Sequence, residues 1–258
     1  MRLLFIGDIV GNPGRHMVEQ HLPRLIDEYA VDFTIANGEN SSHGFGMSRR
    51  SFQELHACGV DCFTMGNHTW DHKELAGFID HEPRIVRPAN YPPGLPGRGE
   101  QSYTICGRRL RVINLIGRVY LPAQDCPFRK LNELLAQQTA DWTFVDFHAE
   151  ATSEKVAMGW YADGRVSALV GTHTHVQTAD ARVLPRGTGY ITDAGMTGPR
   201  DSVLGVERET ILTRFLTGIS PRFEPAHGDL QFNGVLFDLA ENGGCTAVTP
   251  LQFWQPAL

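Results

Sequence analysis

The feature that most constrains this chain is an alternation of short apolar runs with helical patterns. Runs of β type lie at residues 3–6, 33–36, 62–65, 109–115, 142–147 and 166–170, and helical patterns at 14–28, 48–57, 71–80, 127–138, 153–161 and 202–217. Strands separated by helix-length segments specify an α/β architecture, because parallel neighbours need crossover connections and helices cover the sheet faces. The stretch "RPANYPPGLPGRGE", residues 87–100, reads as a loop and not a linker, since β-type sequence resumes directly after it. Two further β runs, 234–239 and 245–251, flank the turn "ENGG". With no internal repeat and no low-complexity segment, a single domain spanning residues 1–258 is expected.

Five of these runs deliver a metal-ligand type of residue at the carboxyl end. Asp8 follows "LLFIG", Glu39 and Asn40 follow "FTIANG", Asn67 and His68 follow "CFTMG", His148 follows "TFVDF", and His173 and His175 follow "SALVGT". In α/β sheets that edge is where ligands bind, because the loops leaving the strands converge there. In an extended chain i and i+2 share a face, so His173 and His175 would project together from a strand end. Each feature taken singly fits a turn, a cap or a hydrogen-bonded strand end. Taken together they point to one site, and the glycines at 7, 38, 66 and 171 would let the backbone turn just before each ligand.

Carboxylate, amide and imidazole donors without cysteine suit Fe, Mn or Zn. Seven such residues exceed what one catalytic ion with an open position needs. Two ions about 3.5–4 Å apart would grip a phosphoryl group and hold a bridging hydroxide in line with the leaving oxygen. With Asp8 and Glu39 as the only anionic donors, two divalent ions leave the site net positive, which favours an anionic phosphoester.

The strings "GNH" (66–68) and "GTHTH" (171–175), with an early "GD" and the isolated His148, resemble the calcineurin-like metallophosphoesterases. More closely, "NGENSSHGFGMS", "TMGNHTWDHKE", "VDFHAEATSEK", "GWYADGRVSALVGTHTHVQTAD" and "ITDAGMTGP" resemble the YmdB-like branch of that family. The resemblance implies an αββα sandwich of two mixed β-sheets flanked by helices. It also implies a dinuclear, iron-containing phosphodiesterase that converts 2′,3′-cyclic nucleotides to nucleoside monophosphates. Asp8, Glu39, Asn40 and His175 would hold one ion, and Glu39, Asn67, His148 and His173 the other. Glu39 would bridge the two, and His68 would donate the proton to the leaving alkoxide. The chain departs from the wider family in three places. The usual D-x-H is Asp8-Ile9-Val10, with Asn40 standing in; the bridging aspartate is Glu39; and Thr69 follows the N-H pair, leaving Asp71 to orient His68. A phosphomonoesterase or protein phosphatase with the same metal centre remains an alternative, as does a metal- or nucleotide-binding regulator with incidental hydrolysis.

The net charge of −6 offers no basic footprint for duplex nucleic acid, so a small phosphodiester is the expected partner. Self-association is left open. No run approaches a membrane span, the N-terminus lacks a signal-peptide core, and five scattered cysteines fit a reducing cytoplasm. Cys58 and Cys62 read as small buried residues. His16, His21, His56, His72, His81 and His227 read as solvated or satisfied groups. His43 is read as a loop residue in a glycine-containing segment free to cover the site, with a substrate contact as the alternative. Asp146 is a candidate to orient a ligand imidazole, and Arg118, Arg129 and Arg200 are candidate phosphate clamps.

Overall fold

A computed structural model describes residues 1–137, 139–219 and 221–256. In chain order the elements are β1 (Arg2–Ile6), β2 (Asp8–Ile9), α1 (Gly11–Tyr29), β3 (Phe33–Asn37), α2 (Arg49–Ala57), β4 (Cys62–Thr64), β5 (Ile85–Val86), β6 (Glu100–Ile105) and β7 (Arg108–Ile116). There follow α3 (Pro127–Gln137), β8 (Trp142–His148), α4 (Thr152–Ala162), β9 (Ala168–Thr172), β10 (Arg182–Val183), β11 (Gly189–Ile191), β12 (Met196–Pro199), α5 (Arg208–Thr217), β13 (Leu230–Leu239) and β14 (Cys245–Gln255).

Two mixed sheets result. The first runs β2-β12-β13-β1-β3-β4-β5 with β14 on β13, and the second runs β10-β11-β9-β8-β7-β6. Strands β1, β3, β4 and β5 are parallel in the first sheet, as are β7, β8, β9 and β11 in the second. Period-two alternation decides the layering. Leu3 and Phe5 of β1 meet Leu110, Val112 and Phe144 of the facing sheet, with the rings of Phe5 and Phe144 stacked at 5.5 Å. Leu4 and Ile6 point the other way, onto Met17, Val18 and Leu22 of α1 and Leu55 of α2. Ile113, Leu115, Val145 and Phe147 likewise cover α3 and α4 through Leu131, Leu134, Met158 and Ala162. Each fully buried Leu, Ile or Phe contributes about 1.5–3 kcal/mol, so the αββα sandwich is held by three stacked apolar layers. α2 starts where expected because Ser48 and Ser51 form a reciprocal cap: the Ser48 hydroxyl accepts from the Ser51 N–H, and the Ser51 hydroxyl accepts from the Ser48 N–H, each at 3.0 Å.

Two expected helices differ. Residues 71–80 form only two short 3₁₀ turns, Leu75–Gly77 and Ile79–His81. Phe78 leaves the helical region at φ −136°, and Leu75, Phe78 and Ile79 are all buried. The helix expected over 202–217 begins only at Arg208, because Leu204 and Gly205 take left-handed φ of 54° and 95° and close a turn through Ser202. The expected end of α3 at Gln138 lies outside the described residues. Strand β6 and the short strands β2, β5, β10, β11 and β12 are additions, most of them too brief to show a period. Among the described residues no helix is long and apolar enough to cross a membrane, and all five cysteines are free.

Candidate metal centre

Parallel order within each sheet brings the carboxyl ends of β1, β3 and β4 opposite those of β8 and β9. His148 is the last residue of β8; Asp8 opens β2 one residue past β1; the others stand in the turns that follow β3, β4 and β9. The two histidines of "GTHTH" are not on extended backbone. β9 ends at Thr172, and His173 and His175 take left-handed φ of 98° and 65°, so the turn aims them apart.

His175 faces one group of expected ligands and His173 the other. His175 Nε2 lies 3.2 Å from the Asn40 amide nitrogen and 3.7 Å from Asp8 Oδ1. His148 Nε2 lies 3.0 Å from Glu39 Oε1, 2.9 Å from Asn67 Oδ1 and 3.0 Å from His173 Nδ1. Donor atoms of Glu39, His148 and His173 fall within 4.8 Å of one another. The structure thus brings all seven expected residues to one place, with His175 beside Asn40 and Asp8 and His173 beside His148.

Neighbours fix which ring nitrogens face inward. The His148 Nδ1 contacts the Thr172 hydroxyl at 2.9 Å, and that hydroxyl donates to Asp146 Oδ1 at 2.8 Å. Asp146 therefore acts on His148 through Thr172, directing Nε2 into the cluster. His173 Nε2 pairs with Glu150 Oε2 at 2.9 Å, leaving its Nδ1 inward. Glu150 carries no sequence signal beyond its place two residues after His148, since its partner is remote in the chain.

The electrostatics are those of a cluster awaiting cations. Burial raises the Asp8 carboxyl above its ordinary value, with His175 and His148 pulling it back. Burial pushes Glu39 up too, but the charge and proximity of His148 outweigh it and bring the carboxyl to about 2. His148 answers: burial lowers it, Glu39 overrides, and the imidazole rises to about 9. Burial and the neighbouring His148 depress His173 to about 3. Asp8 Oδ1 and Glu39 Oε1 are both buried and accept no hydrogen bond; the 3.0 Å approach of His148 to Oε1 has ion-pair but not hydrogen-bond geometry. A buried carboxylate oxygen without a donor costs several kcal/mol in a metal-free protein, and a bound cation removes that cost. The residues present therefore fit a metal centre.

Gly66 shows how tightly the turn after β4 approaches. A Cβ there would overlap the His148 ring at Nε2 and stand 2.5 Å from Glu39 Oε2. Gly7, Gly38 and Gly171 are equally crowded, since a Cβ at each would overlap the Gly195 carbonyl, the Met47 methyl and the Thr192 carbonyl respectively. None of these four glycines adopts positive φ, so they serve close approach and not the sharp turning expected of them.

His68 sits at the mouth. Its backbone N–H donates to Glu39 Oε2 at 2.8 Å and its ring Nδ1 contacts Asp71 Oδ2 at 2.7 Å, which places Asp71 to orient it. The adjoining cleft, about 260 Å³, is lined by the polar Glu39, Asn40, His68, Glu150, His173, His175 and Glu224 and by the apolar Phe45, Leu204, Val206, Phe223 and Pro225. His43 and Gly44 complete its rim. Arg118, Arg129 and Arg200 are not among the lining residues, and the Arg200 guanidinium instead packs 4.3 Å over Trp254. No lysine or arginine is found among the described lining residues, so bound cations are what would neutralise an anion there.

The model for YmdB-like proteins matches residues 4–251. A curated relative from Bacillus subtilis (strain 168), named 2′,3′-cyclic-nucleotide 2′-phosphodiesterase, is 55% identical over 241 residues, covering 93% of this chain and 91% of its own. A hypothetical protein from Thermus thermophilus, solved by crystallography, superposes with a TM-score of 0.95 at 47% identity, covering 99% of this chain and all of its own. The 5′-nucleotidase precursor from the same organism superposes at 0.62 with 14% identity, covering 99% of this chain and 54% of its own, a likeness of fold alone.

Proposed function

This chain belongs to the family of YmdB-like proteins, and from that premise we propose that it is a dinuclear metal-dependent phosphodiesterase opening 2′,3′-cyclic nucleotides to nucleoside monophosphates. The observation that carries the reading is the cluster itself: two buried carboxylate oxygens without donors beside inward-facing imidazoles. Asp8, Glu39, Asn40 and His175 would hold one ion and Glu39, Asn67, His148 and His173 the other. The donor set, free of thiolate, suits iron, with manganese or zinc as alternatives. When bound, the ions supply activated water and charge neutralisation for a phosphoryl group.

The chain's own residues do the rest. Glu39 would bridge the two ions and, by accepting from the His68 backbone N–H, ties the proton donor to the centre. Asp71 engages His68 Nδ1, leaving Nε2 as the nitrogen to hand a proton to the departing ribose oxygen. The apolar wall of Phe45, Val206, Phe223 and Pro225 suits a nucleoside and excludes water from one side of the reacting group. Because the centre draws on both sheets, residues 1–258 work as one domain, and the free cysteines fit a cytoplasmic setting.

Elemental analysis of anaerobically purified protein should find about two ions per chain, with kcat/KM higher for cyclic diesters than for monoesters. Full activity at a stoichiometry of one removes the dinuclear mechanism. Higher kcat/KM for monoesters over several bases replaces the diesterase reading with a phosphatase.

A further inference from the structure

Behind the two-histidine turn lies a pair of opposite charges that the proposed reaction does not use. Lys155 of α4 is 1% exposed and Asp193, just past β11, is fully buried, with Nζ 2.6 Å from Oδ2. The same Oδ2 accepts from the Thr174 N–H at 3.1 Å and from the Thr174 hydroxyl at 2.7 Å. Asp193 Oδ1 accepts from the Gly195 N–H at 2.8 Å, and the Gly195 carbonyl in turn accepts from the Asp8 N–H at 3.0 Å. One carboxylate is therefore tied to the residue between His173 and His175 and, through Gly195, to Asp8.

A buried ion pair is weak evidence for stability, because desolvation offsets most of the attraction and an apolar pair of similar volume often serves as well. A fixed negative charge nevertheless makes shorter, stronger hydrogen bonds than a neutral group would. The turn it holds needs such a tether. His173 and His175 both sit in left-handed backbone, which is strained for non-glycine residues and persists only where surroundings over-determine it. Released, the turn would relax, and the two imidazoles would no longer face His148 and Asp8 respectively.

We propose that Asp193, with Lys155 as its counter-charge, is a positioning residue that sets the His173–His175 turn through Thr174 and so aligns one imidazole with each half of the metal centre. This rests on the reading that both histidines hold ions. Mn²⁺ is the probe, titrated into metal-free full-length protein by calorimetry and followed by electron paramagnetic resonance. Asp193→Asn leaves Lys155 buried without its counter-charge and risks failing to fold, so Thr174→Val is the principal variant: it keeps shape and ion pair and removes only the hydroxyl tether. Thr174→Val should weaken Mn²⁺ binding about 10–100-fold and change the resonance signature of the bound pair, with the metal-free protein still folded and only modestly lowered in Tm. Thr174→Ser should restore both. Unchanged affinity in the valine variant, or a serine variant as weak as valine, overturns the positioning role. If the unsubstituted protein takes up no pair of Mn²⁺ ions, the proposed function falls and takes this inference with it, an outcome distinct from failure of the tether alone.

Discussion

His148 Nε2 has three neighbours within 3.0 Å, a carboxylate, an amide oxygen and another imidazole, which no single proton can satisfy. Glu39 holds the His148 proton up to about 9, so metal-free protein at neutral pH carries a proton that an ion must displace. Mn²⁺ affinity should rise as the pH climbs toward 9, and the heat of binding should vary with the ionisation enthalpy of the buffer. Equal heats in two such buffers would show His148 already neutral. The sign for stability follows. The raised His148 stabilises the metal-free fold fully below its ordinary value of 6.5, and that contribution is lost as pH rises through about 9. The lowered Glu39 stabilises above its ordinary 4.5 and loses the effect toward about 2. Glu39→Gln keeps shape but removes the bridging charge, so both ions should weaken together in a metal titration; loss of one alone places the bridge elsewhere. His68→Ala should keep both ions while kcat falls about 10²–10⁴-fold. The loss should shrink for a nitrophenolate ester, whose leaving group needs no proton, and an equal loss on both substrates removes the acid role.

At the scale of elements, the turn after β4 is the one whose close approach falls on the metal donors themselves. Its Gly66 carbonyl accepts from the Thr69 N–H, the Thr69 hydroxyl and the Tyr91 hydroxyl, at 3.2, 2.6 and 2.8 Å, and so cannot back away. Gly66→Ala would drive a methyl against Glu39 and His148. Overpacking of this kind costs about 1–3 kcal/mol, and here the strain falls on metal donors. The variant should therefore lose bound metal at least tenfold more readily while circular dichroism stays native. Retention of two ions at wild-type affinity would show that the turn has room to shift.

For the whole molecule, the centre joins two sheets that otherwise meet through apolar contacts and a few buried amide hydrogen bonds, from Asn37 to Asp146 and from Asn114 to the Met65 and Val86 carbonyls. Metal binding that is absent from the unfolded chain stabilises by about 2.7 kcal/mol at a hundredfold excess over Kd. In a chain of this size that corresponds to several degrees, at roughly 2–4 °C per kcal/mol. Chelation should lower Tm by that amount, and readdition of Mn²⁺ should restore it. An unchanged Tm on chelation would mean that the ions add nothing to the union of the two sheets.

The amino-acid sequence by itself determined the α/β class, the main strands and every residue of the cluster, because β-periodicity is local and a ligand-type residue at a strand end is visible without its partners. Glu150 and the Lys155–Asp193 pair were invisible for the converse reason, each being defined by a contact distant in the chain. The helix expected over 71–80 is broken into two 3₁₀ turns at Phe78, which leaves the helical region directly after Gly77, a residue with weak helix preference. Only the tertiary structure decided that His173 and His175 part, one toward His148 and the other toward Asn40 and Asp8, since left-handed backbone at two non-glycine residues is held by contacts from Asp193 to Thr174 and from Leu204 to His175 and not by local preference. It alone decided, too, that the glycines make room for segments remote in the chain, the His148 ring at Gly66 and the Thr192 carbonyl at Gly171 among them, because close approach is a property of two chain segments and a sequence shows one at a time.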